Sequence, residues 1–191
     1  MERIEALAVI GEVFPEDPLV LTCGATSREM ASLGRRANHF YVVDSMGLVS
    51  SITLGLALGL ERGPFRKVVG VEGDGGILMN LNSLATAGYL EPSKFLLVVL
   101  DNEAYASTGG QPTFTTRLAL ADIASACRLR VWRCRQEGEF RQALGQARDS
   151  SGPGFINLKI SPGNRQVPYL AEDPAILRYL FESYITAKTQ E

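Results

Sequence analysis

The chain has 191 residues, 46% of them hydrophobic and 21% charged, with a formal net charge of -2, a profile that fits one soluble α/β domain with a real core. That charge provides no field to gather nucleic acid or an anionic membrane surface, and no long basic run appears. No apolar run reaches the roughly 18 to 20 residues of a membrane span, and the opening MERIEALAVIGEVF reads as an amphipathic helix with early acids, not as a signal peptide. Three cysteines, Cys23, Cys127 and Cys134, are an odd number without CxxC spacing. They suggest neither a disulfide framework nor a zinc or iron-sulfur site, and they fit a reducing cytoplasm.

In chain order, a helix is expected over 2–13, followed by a strand at 19–23 (LVLTC). A helix over 28–35 leads to a strand at 39–43 (HFYVV), and a helix over 47–61 to a strand at 67–72 (KVVGVE). The next helix is expected over 78–90, then a strand at 95–101 (FLLVVLD), a helix over 118–128 and a strand at 130–134 (RVWRC). A helix over 137–149, a strand at 155–160 (FINLKI) and a helix over 173–188 complete the chain, with Asp173 and Pro174 as N-cap and first helical residue. Residues 161–172 read as an extended connection. Apolar runs rich in Val, Leu and Ile that alternate with helices predict a three-layer, doubly wound, mostly parallel sheet, with residues 1–191 forming a single domain.

The stretch VEGDGGILMN places Asp74 between glycines where an apolar strand stops. This is the carboxyl end of a strand, where open α/β sheets bind ligands. Glycines let backbone approach such a ligand, and the helix start beyond offers free N–H groups to an anion such as phosphate. The next strand ends in Asp101 and Asn102, 27 and 28 residues after Asp74, an interval that holds one crossover helix and brings the two strand ends side by side. A carboxylate, an amide oxygen and irregular backbone beyond them are hard ligands suited to magnesium, which phosphates and water complete. Either motif alone reads more readily as an ordinary turn, with Asp74 capping a helix.

Taken together, GDG and the later Asn resemble the thiamine diphosphate motif of the diphosphate-binding (PP) domain. DSMGLVSSITLGLALGL (44–60), GDGGILMNLNSLATAG (73–88) and LDNEAYASTGGQPTFTT (100–116) are similar to the β subunit, or C-terminal half, of sulfopyruvate and phosphonopyruvate decarboxylases, over approximately residues 19–160. The resemblance implies a PP-type fold that binds thiamine diphosphate and magnesium. It implies that Asp74, the Asn102 side chain and the Ala104 carbonyl hold the metal. Gly75 and Gly76 would give N–H groups and Thr26 a hydroxyl to the diphosphate. The backbone of Asp44 and Met46 would face the pyrimidine, with Met46 as the wedge under the bent cofactor, and Ser45, Gly73 and Tyr105 are further cofactor contacts. Asp44 and Glu103 stand where relatives often carry glycine. Ser107, Thr108 and Gln111 are candidate substrate contacts or members of a solvated turn.

The implied reaction is decarboxylation of a small anionic 2-oxo acid such as sulfopyruvate or phosphonopyruvate. The glutamate that activates the cofactor in this family lies on a separate Pyr domain, for which 191 residues leave no room, so a Pyr-domain (α-type) subunit is the expected partner. Glu12, Glu29 and Glu72 do not match it, and no catalytic residue is assigned in this chain. A homodimer or higher hetero-oligomer is expected, and Gly55 and Gly59, four apart on one helix, mark either a subunit interface or a helix buried within its own domain. An acetolactate synthase-like carboligase and a non-catalytic cofactor-binding assembly module are the alternatives. His39 reads as structural and Trp132 as core, while Arg28, Arg35, Arg36 and Arg117 read as surface residues.

Overall fold

The computed structural model describes residues 1–190; Glu191, the last residue of the expected domain, lies outside them. The elements run α1 (Arg3–Val13), β1 (Leu19–Leu21), α2 (Ala25–Ser32), β2 (His39–Tyr41), α3 (Val49–Gly59), β3 (Val68–Gly73), α4 (Asp74–Leu78) and α5 (Asn82–Leu90). They continue with β4 (Phe95–Asp101), β5 (Ala104–Tyr105), β6 (Gln111–Pro112), α6 (Leu120–Ala126), β7 (Arg130–Cys134), α7 (Glu137–Asp149), β8 (Gly154–Lys159) and α8 (Pro174–Gln190). Six strands form one sheet in the order β2-β1-β3-β4-β8-β7, and every pairing in it is parallel.

The strand β4, FLLVVLD, shows why the sheet is covered on both faces. It is buried along its whole length, and its side chains alternate between two cores. Leu96, Val98 and Leu100 pack with Leu7, Ile10, Phe14, Phe140 and Leu144 of the helical layer formed by α1 and α7. Phe95, Leu97 and Val99 pack with Leu54, Leu84 and Leu120 from α3, α5 and α6. Helix α8 crosses the β2 edge, giving Leu177 to the first core and Ile185 to the second, and its Phe181 ring lies 5.3 Å from Phe40. The expected cap holds, since the Ala175 N–H donates to Asp173 Oδ1 at 2.8 Å. Residues 161–172 carry no helix or strand.

Several boundaries differ from the sequence reading. The helix expected over 78–90 is two helices, α4 and α5, parted at 79–81, and Asp74 opens the first instead of preceding a later one. Asn80 explains the break: its Nδ2 donates to the Gly47 carbonyl at 2.7 Å and to Ser51 Oγ at 2.9 Å, contacts across the fold that outweigh one more helical turn. The β5-β6 ribbon was not expected, because two-residue strands carry no periodicity. Trp132 is only partly buried and donates from Nε1 to Gln146 at 2.9 Å. Gly55 and Gly59 are exposed, with open space beside both, so that face of α3 is not buried within its own domain.

Candidate functional site

Strand β1 lies between β2 and β3, so the chain leaves β1 in one direction across the sheet and β3 in the other. Their carboxyl-end loops diverge and leave a crevice. A cavity sits there, lined from the β1 loop by Thr22, Cys23 and Thr26, from β3 and α4 by Glu72, Gly73, Asp74, Gly75 and Gly76, and from the β4 loop by Asn102, Ala104 and Tyr105. Met46, Ser107 and Thr108 complete its wall, with Arg3 and Asn164 at its far side. Of the residues singled out from the sequence, Asp44, Ser45 and Gln111 are not in that lining. Asp44 is exposed, the Ser45 backbone N–H points at the Cys23 sulfur, and Gln111 sits on the ribbon, its Oε1 accepting from Thr108 at 3.1 Å.

Close approach of side chains accounts for Gly75 and Gly76 but not for Gly73, which has open space where a Cβ would lie. A Cβ at Gly75 would lie 2.6 Å from the Tyr105 ring, and one at Gly76 would lie 2.2 Å from Glu72 Oε1. Asp44 and Glu103 have φ of 50° and 60°, the left-handed region where glycine is the easiest residue.

Asp74 is 2% exposed, and its Oδ2 accepts from Thr113 Oγ1 at 2.6 Å. Burial raises its pKa, the Thr113 hydroxyl opposes this, and the Asp101 carboxylate adds to the rise; the Asn102 backbone N–H also acts on the Asp74 carboxylate. The two loops therefore meet. Asn102 Oδ1 accepts from the Ala104 N–H at 3.1 Å, which tightens the turn into β5. Among the described residues no group of three or more His, Cys, Asp or Glu side chains could hold a metal. One carboxylate, one amide oxygen and one carbonyl are instead a donor set for a hard cation that takes its remaining ligands from phosphate and water.

Two residues here had no site role in the sequence reading: Glu72, set aside as the activating glutamate, and Arg3. Glu72 is 1% exposed, its Oε1 accepts from the Gly73 N–H at 3.0 Å, and its Oε2 is buried with no hydrogen-bond partner among the described residues. Burial pushes its pKa from 4.5 to about 7, against the Thr22 hydroxyl and the Gly73 and Val49 N–H groups. Its place directly before GDG was the available signal. Arg3 Nη1 donates to Glu29 at 3.1 Å and to Asn164 at 2.9 Å, tying α1, α2 and the 161–172 segment behind the cavity. Other arginines are occupied structurally: Arg28 stacks 4.8 Å over Tyr169, Arg35 pairs with Glu172 and Arg36 donates to the Gly11 carbonyl at 2.7 Å.

Parallel order, switch point and glycine-lined cavity define an α/β domain of the class that receives a ligand at its strand carboxyl ends. The chain belongs to the thiamine pyrophosphate enzyme family: residues 23–158 match the family described as "Thiamine pyrophosphate enzyme, C-terminal TPP binding domain". At full length it is 37% identical to sulfopyruvate decarboxylase subunit beta of Methanothermobacter thermautotrophicus, covering 100% of this chain and 99% of that one. It is also 40% identical to phosphonopyruvate decarboxylase of Streptomyces viridochromogenes, over 85% of this chain and 40% of that one. Among solved structures it resembles a thiamin diphosphate-dependent enzyme from Mycobacterium smegmatis, with a TM-score of 0.73 and 24% identity, covering 85% of this chain. Benzoylformate decarboxylase from Polynucleobacter necessarius gives a TM-score of 0.74 at 20% identity over 85% of this chain. The chain spans 32% and 33% of the lengths of those two solved chains, which share its fold.

Proposed function

We propose that this chain is the thiamine diphosphate- and magnesium-binding subunit of a 2-oxo acid decarboxylase for a small anionic substrate such as sulfopyruvate or phosphonopyruvate. It would work with a separate Pyr-domain subunit. The observation that carries the reading is the meeting of the Asp74 and Asn102 loops at one cavity, in a chain that aligns end to end with a relative named as a β subunit. Bound thiamine diphosphate supplies the electron sink that accepts the pair left when carbon dioxide departs. This chain's part is to bind and orient. Asp74, Asn102 and the Ala104 carbonyl hold the cation, while Gly75 and Gly76 admit the diphosphate to the start of α4 and Thr26 adds a hydroxyl. Met46, 38% exposed at the cavity rim, is placed to press on a ring. Ser107 and Thr108 line the open side, where a substrate headgroup would arrive.

We infer a homodimer or higher hetero-oligomer, supported by the exposed Gly55, Leu58 and Gly59 on α3. Three free cysteines support a reducing, cytoplasmic setting. No helix among the described residues is long and apolar enough to cross a membrane.

The test is the chain assembled with its α-type partner. Release of carbon dioxide together with the free aldehyde is expected from sulfopyruvate or phosphonopyruvate. Carboligation of the acetolactate type releases carbon dioxide as well, so a ligated product in place of the free aldehyde would overturn the decarboxylase reading. Asp74→Ala should weaken magnesium-dependent thiamine diphosphate binding, measured by calorimetry, at least tenfold, or about 1.4 kcal/mol, with cooperative unfolding retained. Unchanged cofactor affinity would overturn the metal assignment.

A further inference from the structure

The segment after the β5-β6 ribbon carries two threonines that no motif singled out. Thr113 is 1% and Thr115 is 6% exposed, at and just inside a short 3₁₀ turn over Phe114–Thr116. The Thr113 N–H donates to the Glu103 carbonyl at 3.0 Å, fastening this segment to the Asn102 loop. Its hydroxyl donates to Asp74 Oδ2 at 2.6 Å. The Thr115 hydroxyl lies 3.3 Å from the same oxygen, 2.8 Å from the Thr113 hydroxyl and 2.9 Å from Asp101 Oδ1. Asp101 is in turn anchored through Oδ2, which takes Lys159 Nζ at 2.9 Å and Asn157 Nδ2 at 3.3 Å. A continuous polar chain thus runs from the partly exposed Lys159 at the end of β8, through the carboxyl end of β4, to the Asp74 carboxylate.

We propose that Thr113 and Thr115 are positioning residues for the cation site: they fix the Asp74 carboxylate by one oxygen and present the other to a divalent ion. The inference rests on the reading of Asp74 as a metal ligand. Its physical basis is the asymmetry of the contacts. Thr113 donates to Oδ2 and the Thr115 hydroxyl lies 3.3 Å from the same oxygen, so rotation about the Cβ–Cγ bond breaks a 2.6 Å bond in a buried site. Partners of this kind orient a ligating carboxylate, and their loss typically weakens metal binding about 10- to 100-fold. The hydroxyl pair also serves both buried carboxylates: the Thr113 proton goes to Asp74 Oδ2 at 2.6 Å, and the single Thr115 proton goes to the nearer Asp101 Oδ1 at 2.9 Å.

The experiment uses the chain assembled with its partner subunit. Magnesium is titrated by calorimetry at saturating thiamine diphosphate, beside thermal melts of the cofactor-free protein. Thr113→Val, which keeps the shape and removes the hydroxyl, should raise the magnesium concentration for half-saturation about 10- to 100-fold, and Thr113→Ser should restore it. Thr115→Val should shift it less, because its contact with Asp74 is the longer one, 3.3 Å. A wild-type magnesium requirement in Thr113→Val overturns the positioning role, as does a shift that Thr113→Ser fails to repair. Should Thr113→Val not fold, Thr113→Ala carries the same expectation, and an unshifted titration in folded Thr113→Ala overturns the proposal. Asp74→Ala separates the two levels. If it also leaves the magnesium requirement unchanged, the metal-ligand reading itself falls; if it alone shifts the titration, only the role of the threonines does.

Discussion

Acidification should weaken this fold through His39, 4% exposed on β2. Its Nδ1 lies 3.2 Å from the Tyr41 hydroxyl, and its Nε2 is buried without a partner among the described residues. A neutral imidazole tolerates that placement, whereas the cation would carry a second N–H donor with no acceptor. Burial, with Arg36 adding repulsion, pulls the pKa down from 6.5 to about 4. A histidine with a depressed folded pKa has no effect on stability well above 6.5. As the pH falls from there toward 4, the unfolded chain takes up the proton first and stability is lost. The loss comes to about 2 kcal/mol at pH 5 and about 3 kcal/mol near pH 4. Glu72 acts with the opposite sign, because a pKa raised to about 7 makes protonation in that range favour the folded state. The comparison is therefore between wild type and His39→Phe, which share Glu72. Urea unfolding at pH 8 and pH 5 should show the wild type losing about 2 kcal/mol relative to the variant. Parallel pH profiles would refute the reasoning, since they would mean that the buried ring keeps its ordinary basicity.

Two further substitutions test packing and backbone. A Cβ on Gly88 would lie 1.7 Å from the Cys127 carbonyl oxygen, so Gly88→Ala must push α5 away from the turn before β7 at a cost of about 3 kcal/mol; a denaturant midpoint close to wild type would show that this contact yields freely. Glu91 ends α5 with φ 48° and ψ 45°, a left-handed position that favours glycine, so Glu91→Gly should gain about 1 kcal/mol in urea unfolding, and a loss would contradict the strain argument.

The two kinds of site residue differ in how they could be found. Asp74 and Asn102 were legible because each ends an apolar run, and a strand end in a parallel sheet has a known destination. The glycine-like positions Asp44 and Glu103 were legible through resemblance, and their positive φ supplies the reason. Glu72 stands directly beside the motif and was weighed only as the activating glutamate, because a glutamate at the end of an apolar strand has no periodic mark to show that it is buried. Thr113 and Thr115 lie within the 100–116 stretch that carries the resemblance but had no signal of their own: hydroxyls in a polar loop usually bond to nearby backbone, and nothing local says that these reach a carboxylate 39 and 41 residues back.

Local pattern by itself determined the alternation of strands and helices, the parallel sheet and the two loops that meet at the cavity, because burial on both faces forces long apolar runs and ligands collect at strand ends. Only the tertiary structure decided where α4 stops and α5 starts, that α8 closes the β2 edge, and which hydroxyls hold Asp74. Those outcomes depend on contacts between segments far apart in the chain, such as Asn80 with Gly47 and Thr115 with Asp101. Their energies compare with local helix and turn preferences, so the local signal cannot reveal which will win.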